Sequence, residues 1–172
     1  MLRFFQRAIS RYLLALSSRW NETGLKIRPA TPADILPMFH LEKHAVTAAH
    51  WTRQQYERMF SEPDPRRLAL IIEAESTAQG FLIARAVANE WELENIAIAG
   101  PARRRGMGTR LLGEFLDQVK AEGAEAVFLE VRESNRAARA LYEKWAFVES
   151  GRRPRYYRDP DEDAAVYRLS LS

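Results

Sequence analysis

The run Arg103-Arg104-Arg105-Gly106-Met107-Gly108 joins a strand-like stretch, Leu93-Glu94-Asn95-Ile96-Ala97-Ile98, to a helix that begins near Thr109-Arg110-Leu111-Leu112. Two glycines spaced by one residue permit a sharp turn and a close approach of backbone to ligand. The first turn of the following helix offers unpaired N–H groups at the positive end of its dipole. With three arginines alongside, these parts make a site for a pyrophosphate or another multiply charged anion. The spacing departs from the known nucleotide loops. The chain has no Gly-x-Gly-x-x-Gly, no acid about 20 residues on as a ribose partner, and no Gly-Lys-Ser/Thr ending.

The elements that must position this loop can be read on either side of it. Residues 25–28 read as a first strand. Thr31-Pro32-Ala33-Asp34 then reads as a helix start, with a capping threonine, proline at the first helical position and an acid in the first turn. Thr52-Arg53-Gln54-Gln55 has the form of a capping box and opens a second helix, ended by Pro63 and Pro65. Residues 68–74 and 80–87 form a hairpin, and 91–99 the next strand. A helix over 106–122 ends at Gly123. Residues 126–132 form a strand with Val127, Leu129 and Val131 on one face and Phe128, Glu130 and Arg132 on the other. Asn135 starts a helix reaching Trp145, and residues 147–150 and 164–171 close the fold as strands. The order β α α β β β α β α β β mixes a meander with two β-α-β units, unlike a uniform doubly wound fold.

Residues 1–24 stand apart. They carry Arg3, Arg7, Arg11 and Arg19 but no acid before Glu22, and Phe5, Ile9, Tyr12, Leu13, Leu16 and Trp20 fall on one helical stripe. This is a basic amphipathic extension preceding a domain over 25–172. It suits a helix packed on the domain or a partner subunit, a membrane-surface helix, or a targeting segment. The chain has no cysteine, which excludes disulfides, thiolate metal sites and a cysteine nucleophile. His40 and His44 are four apart, but there is no His-Glu-x-x-His and no third ligand at metal spacing, so no metal is expected. A net charge of +3 fits an anionic cofactor as well as nucleic acid; with no aromatic-interleaved basic patch, direct nucleic-acid binding is not expected.

At this point the chain resembles the GNAT family of acetyl-CoA-dependent N-acetyltransferases. The loop at 103–108 matches that family's Gln/Arg-x-x-Gly-x-Gly/Ala pattern. Leu129-Glu130-Val131-Arg132, Ser134-Asn135 and Ala140-Leu141-Tyr142-Glu143 match further motifs. Within the family it is most similar to the RimI type, which acetylates the N-terminal alanine of a small-subunit ribosomal protein. Glu94-Asn95-Ile96-Ala97-Ile98, Leu129-Glu130-Val131-Arg132-Glu133-Ser134-Asn135, Arg152-Arg153-Pro154-Arg155-Tyr156-Tyr157 and Glu162-Asp163-Ala164 carry that closer match. Two departures stand out: Ala99-Gly100-Pro101 where relatives have Asp-Pro, and Trp145-Ala146-Phe147 where relatives have Leu-Gly-Phe.

The resemblance implies an α/β (α+β) GNAT fold. Its central mixed, mostly antiparallel sheet has six or seven strands, with strands 4 and 5 splayed apart and about four flanking helices. It implies acetyl-CoA as cofactor and a cytoplasmic protein. Backbone groups of Ile96, Ala97 and Ile98 would bond the pantetheine arm, and Arg103, Arg104, Arg105, Gly106, Met107 and Gly108 would hold the pyrophosphate. Asn135 would cap its helix and contact the arm. Glu130 would be the general base, directly or through water, with Glu92 and Glu94 in reserve; Tyr142 would be the general acid. Tyr156, Tyr157 and Glu94 would face the acceptor, from a basic loop in the case of the tyrosines. Plainer readings stay open: a surface carboxylate for Glu130, a core phenol for Tyr142, a simple cap for Asn135, loop packing for the tyrosines.

The expected acceptor is a protein N-terminus of Ala or Ser type, as on a ribosomal protein. An α-amine of pKa about 7.7–8.0 is already about a tenth neutral at pH 7, whereas a lysine near 10.4 is not. One carboxylate relay therefore suits a chain terminus. A small-molecule amine and a non-catalytic acyl-CoA-binding role are the alternatives.

Overall fold

A computed structural model describes residues 24–45 and 49–171. The expected extension over 1–24 lies outside them except for Gly24. Seven strands form one sheet in the order β1-β2-β3-β4-β5-β7-β6. They are β1 (Leu25–Pro29), β2 (Arg67–Ala74), β3 (Thr77–Val87), β4 (Glu90–Ile98), β5 (Ala126–Arg132), β6 (Val148–Tyr157) and β7 (Glu162–Ser170). Among the described residues four α-helices accompany them: α1 (Ile35–Lys43), α2 (Arg53–Ser61), α3 (Met107–Ala121) and α4 (Arg136–Lys144). Every neighbouring pair is antiparallel except β4 and β5.

The helices start where their caps require. Thr52 Oγ1 accepts from the Gln55 N–H at 3.3 Å, and Gln55 Oε1 accepts from the Thr52 N–H at 2.8 Å, closing the box before α2. At Thr31 the same reciprocal pattern with Asp34 opens a single 3₁₀ turn, Pro32–Asp34, which leads into α1. Arg28 grips the Asp34 carboxylate with both terminal nitrogens at 2.8 and 2.9 Å, and holds it below the usual carboxylate range. Gly123, at φ +82°, follows the end of α3.

Two cores flank the sheet. On one face α3 places Leu111, Leu112, Phe115 and Val119 against Leu70, Ile72, Leu82, Trp91, Leu93, Val127 and Leu129. On the other, Met38, Tyr56 and Met59 from α1 and α2 cover Ile71, Phe81, Ile83 and Ala97. Burial on both faces explains why β2 and β3 read as continuous apolar runs.

Three features go beyond the sequence reading, the first of them correcting it. The basic segment at 152–157 is not a loop: it continues β6 to Tyr157 through two register shifts against β7. β6 is an outer edge strand, where a polar, proline-containing, bulged segment is tolerated and sheds the ladder only locally. Arg132, on the face opposite Val127, Leu129 and Val131, is 4% exposed, because the β6–β7 turn closes over it. Ala146, where the resemblance has glycine, adopts φ +63°, so the turn after α4 is left-handed.

Candidate active site

The β4–β5 pairing is short. Four residue pairs, from Glu90↔Ala126 to Leu93↔Leu129, are in register. Both strands continue beyond, β4 to Ile98 and β5 to Arg132, without pairing to each other. The parting coincides with a bulge, where Ile83 faces Asn95 and Ala84 faces Leu93, leaving Glu94 as the extra residue. Trp91 and Leu93 consequently join the α3 core, whereas Ala97 joins the α1–α2 core.

The ladder also sorts the backbone groups. Ala99 donates to the Gln79 carbonyl at 2.8 Å, so the residues directly paired by hydrogen bonds alternate from there, and Ala97 is committed to Phe81. Ile96 and Ile98 turn their N–H and C=O away from β3, into the gap. Of the three residues expected to bond an arm as an added strand, Ile96 keeps both its N–H and its C=O free to do so, and Ile98 its N–H. Arg103 uses its Nε to bond the Ile98 carbonyl at 3.1 Å, tying the loop to the end of β4.

A cavity of about 630 Å³ fills the gap. Its wall includes Ile96, Ala97, Ile98, Arg103, Arg104, Gly106, Met107, Gly108 and Asn135 at one end. Glu94, Glu130, Tyr142 and Tyr157 line the remainder. Arg105 and Tyr156, both expected in the site, are outside this wall. Gly106 is the residue before α3 and takes φ +76°, a left-handed turn that aims the helix start at the cavity. A Cβ on Gly108 would lie 3.5 Å from Leu141 Cδ2 and 3.7 Å from Ile98 Cγ1, between two cavity walls. The chain itself has room for it; the space it would occupy belongs to the cavity beside the helix N-terminus. A glycine there, two arginines in the wall and a 15-residue helix starting at Met107 fit a pyrophosphate.

Asn135 accepts the Ala138 N–H at 3.1 Å through Oδ1, so it is the cap of α4, and its Nδ2 is a donor the cap does not use. Tyr142, two turns into α4, is 4% exposed and lies between the Phe147 and Tyr167 rings, with centroids at 5.8 and 6.3 Å. Burial raises its phenol well above the ordinary value, which keeps the proton on oxygen across the working pH range. Burial likewise pushes Tyr157 up to about 12. The Arg132 guanidinium lies 4.3 Å from the Tyr157 ring centroid and bonds the Pro160 and Arg158 carbonyls, fastening the β6–β7 turn to β5.

The carboxylates are not equivalent. Glu94 is clasped by Arg67 at 3.1 and 3.2 Å, with Arg85 at 3.6 Å, and Glu92 pairs with Arg85 at 3.2 Å. Glu130 is bound by one guanidinium, that of Arg153 at 2.5 Å, and Tyr156 is raised chiefly by hydrogen bonding to it.

One functional cluster was not legible as such. Glu42, 1% exposed, accepts the Tyr56 hydroxyl at 2.5 Å on one oxygen and Asn95 Nδ2 at 2.8 Å on the other. Because a carboxylate accepts at both oxygens here, the Asn95 amide must turn its nitrogen to Glu42, and its Oδ1 is left buried with no partner. The triad pins β4 to α1 and α2 at the residue where β4 leaves β5. A signal existed: Met38, Glu42 and Ala45 fall on one helical stripe, and an acid on a buried stripe needs partners.

A gap between two parted strands, walled in part by an anion loop, suits a cofactor with a thin arm and a multiply charged end. The chain belongs to the acetyltransferase (GNAT) family, whose model matches residues 34–147. It is 34% identical over 141 residues to the [ribosomal protein bS18]-alanine N-acetyltransferase of Salmonella typhimurium, covering 81% of this chain and 93% of the relative. The crystal structure of the Escherichia coli ribosomal-protein-S18-alanine N-acetyltransferase superposes with a TM-score of 0.76 at 31% identity, covering 86% of this chain and 94% of that one. An Arabidopsis thaliana protein crystallised with acetyl-CoA shares the fold at 14% identity and a TM-score of 0.75, covering 85% of this chain and 98% of that one. The protein is an acetyl-CoA-dependent N-acetyltransferase with a GNAT fold.

Proposed function

We propose that the protein acetylates the α-amine of a protein N-terminus of Ala or Ser type, on a ribosomal protein in the cytoplasm, with Glu130 as base and Tyr142 as acid. The observation that carries this reading is that Glu130, Tyr142 and Tyr157 line the same cavity as the anion loop. The relatives' action on ribosomal protein bS18 supports the substrate. Acetyl-CoA supplies an acetyl group activated as a thioester. The backbone groups of Ile96 and the N–H of Ile98 hold the arm, and an N–H at this edge polarises the acetyl carbonyl. Arg103, Arg104 and the start of α3 hold the pyrophosphate. As the acceptor nitrogen bonds to the acetyl carbon, its proton passes to Glu130, directly or through a water. As the carbon–sulfur bond breaks, Tyr142 gives its proton to the departing thiolate and regains one from solvent. The phenol's raised pKa keeps it loaded before each turnover.

The test is CoA thiol release with acetyl-CoA and a panel of acceptors: an Ala-starting peptide, the same peptide N-blocked but containing lysine, and small amines. Turnover confined to the free Ala peptide, and depressed by about 10²-fold or more in Glu130→Gln, is expected. Turnover with small amines alone overturns the reading.

A further inference from the structure

Glu130 is a base that another cation already occupies. Arg153, from the edge strand β6, reaches across to place a terminal nitrogen 2.5 Å from Glu130 Oε1. Its guanidinium also lies 4.3 Å from the Tyr156 ring centroid, so the arm is laid on an aromatic plate with its tip on the carboxylate. The Glu130 side chain is 20% exposed and that of Arg153 56% exposed, so this cation sits at the rim of the site and can swing outward. The neighbouring acids differ. Glu94 is 14% exposed and held by arginines from β2 and β3, and Glu92 is held by Arg85 of β3. Those arginines belong to the middle of the sheet; Arg153 alone of these partners belongs to its outer edge. Its strand is also irregular here, with a register shift between Arg153 and Tyr157 and Arg155 at φ +51°.

We propose that Arg153 is a specificity-determining residue that the incoming ammonium must displace from Glu130. The inference rests on the reading of Glu130 as the acceptor-side base. An α-ammonium and a guanidinium carry the same charge and donate the same kind of bond to a carboxylate. The exchange keeps Glu130 paired in the free enzyme and in the complex. An acceptor that brings no cation at its terminus, or too little other binding energy, leaves Arg153 in place and the base blocked. Such an exchange is feasible because an exposed pair of this kind is weak, and its loss shifts binding by only about two- to five-fold.

The experiment measures peptide and acetyl-CoA KM, and kcat, for the full chain, Arg153→Ala, Arg153→Lys, Glu130→Gln and the Arg153→Ala/Glu130→Gln pair. Arg153→Ala should lower the KM for the Ala-starting peptide about two- to five-fold, with the acetyl-CoA KM unchanged. Arg153→Lys, which keeps a cation, should restore the parent value. Methylguanidinium should inhibit Arg153→Ala in competition with peptide, and inhibit the parent much more weakly, since its place there is filled. In the Glu130→Gln background the alanine substitution should no longer lower KM, the mark of direct coupling. A peptide KM that is unchanged or raised in Arg153→Ala, or methylguanidinium inhibition that is not competitive with peptide, overturns the exchange. Failure of the base itself reads differently: Glu130→Gln then turns over like the parent, whatever Arg153 does.

Discussion

Replacing Glu42 is the sharpest way to ask whether the buried triad holds the site. In Glu42→Ala the Tyr56 hydroxyl and Asn95 Nδ2 both lose the oxygens they donate to, at 2.5 and 2.8 Å, in a place with 1% and 4% exposure for Glu42 and Asn95. A stranded buried donor costs about 1–3 kcal/mol, and the emptied side-chain volume adds to that, so the variant should lose about 3–5 kcal/mol. For a chain of this length that is a fall in Tm of roughly 10 °C. Glu42→Gln offers a specific escape. The Asn95 amide can turn over, so that its unpartnered Oδ1 accepts from the new NH₂ while Tyr56 still donates to the remaining oxygen. That variant should lose only about 1–2 kcal/mol, the residual cost of moving the orphan from an acceptor to a donor. Thermal unfolding of the two proteins, with kcat at a temperature where both are folded, makes the comparison. An alanine variant within about 1 kcal/mol of the parent, or a glutamine variant as damaged as the alanine one, refutes the reasoning.

Other outcomes follow from the same geometry. Tyr142→Phe should lower kcat by about 10²–10⁴-fold and leave acetyl-CoA binding nearly intact, measured by turnover and by calorimetry. Because burial raises the Tyr142 phenol, its protonated form persists to higher pH than that of a free tyrosine. In Arg153→Ala, where no cation has to be displaced from Glu130, kcat should therefore climb as the acceptor amine deprotonates near pH 8 and hold level to about pH 10; a descending limb near pH 9 in that variant would remove Tyr142 as the acid. Ala146→Gly should relieve the φ +63° strain and raise stability by about 0.5–1 kcal/mol, read as a Tm increase of a few degrees; a fall would show that the loss of chain entropy dominates there.

Patterns that act within one element were legible in the chain alone. Thr52 and Gln55 announce the start of α2, Gly123 the end of α3, and Asn135 the cap of α4, because each works over three or four residues. The anion loop belongs to the same class. What escaped depends on which strands lie side by side. The burial of Arg132 cannot be read from alternation along its own strand; the turn between β6 and β7 supplies it. The strand character of 152–157 comes from pairing with β7, as Arg152↔Ala165 and Tyr157↔Glu162, which local propensity does not report. The commitment of Ala97 to Phe81, and the freedom of Ile96 and Ile98, follow from register and cannot be read from composition. Glu130 and Glu94 look alike in sequence; the arginines that separate their roles arrive from β2, β3 and β6.

The gap between β4 and β5 also gives this sheet an unpaired edge away from its border. A sheet ordinarily exposes its unpaired amides only at its rim, and here the rim strand β6 guards itself with Arg152, Pro154, Arg155 and a bulge. The amides at Ile96 and Ile98 carry no such guard, yet they lie in the interior of the sheet with β5 as the opposite wall. A polypeptide strand would have to bring side chains above and below the sheet plane, into the α3 core on one face and the α1–α2 core on the other. A chain without side chains meets neither obstacle. An unpaired edge at the centre of this sheet is thus walled by β5 and the two cores, whereas the border strand β6 is mostly exposed.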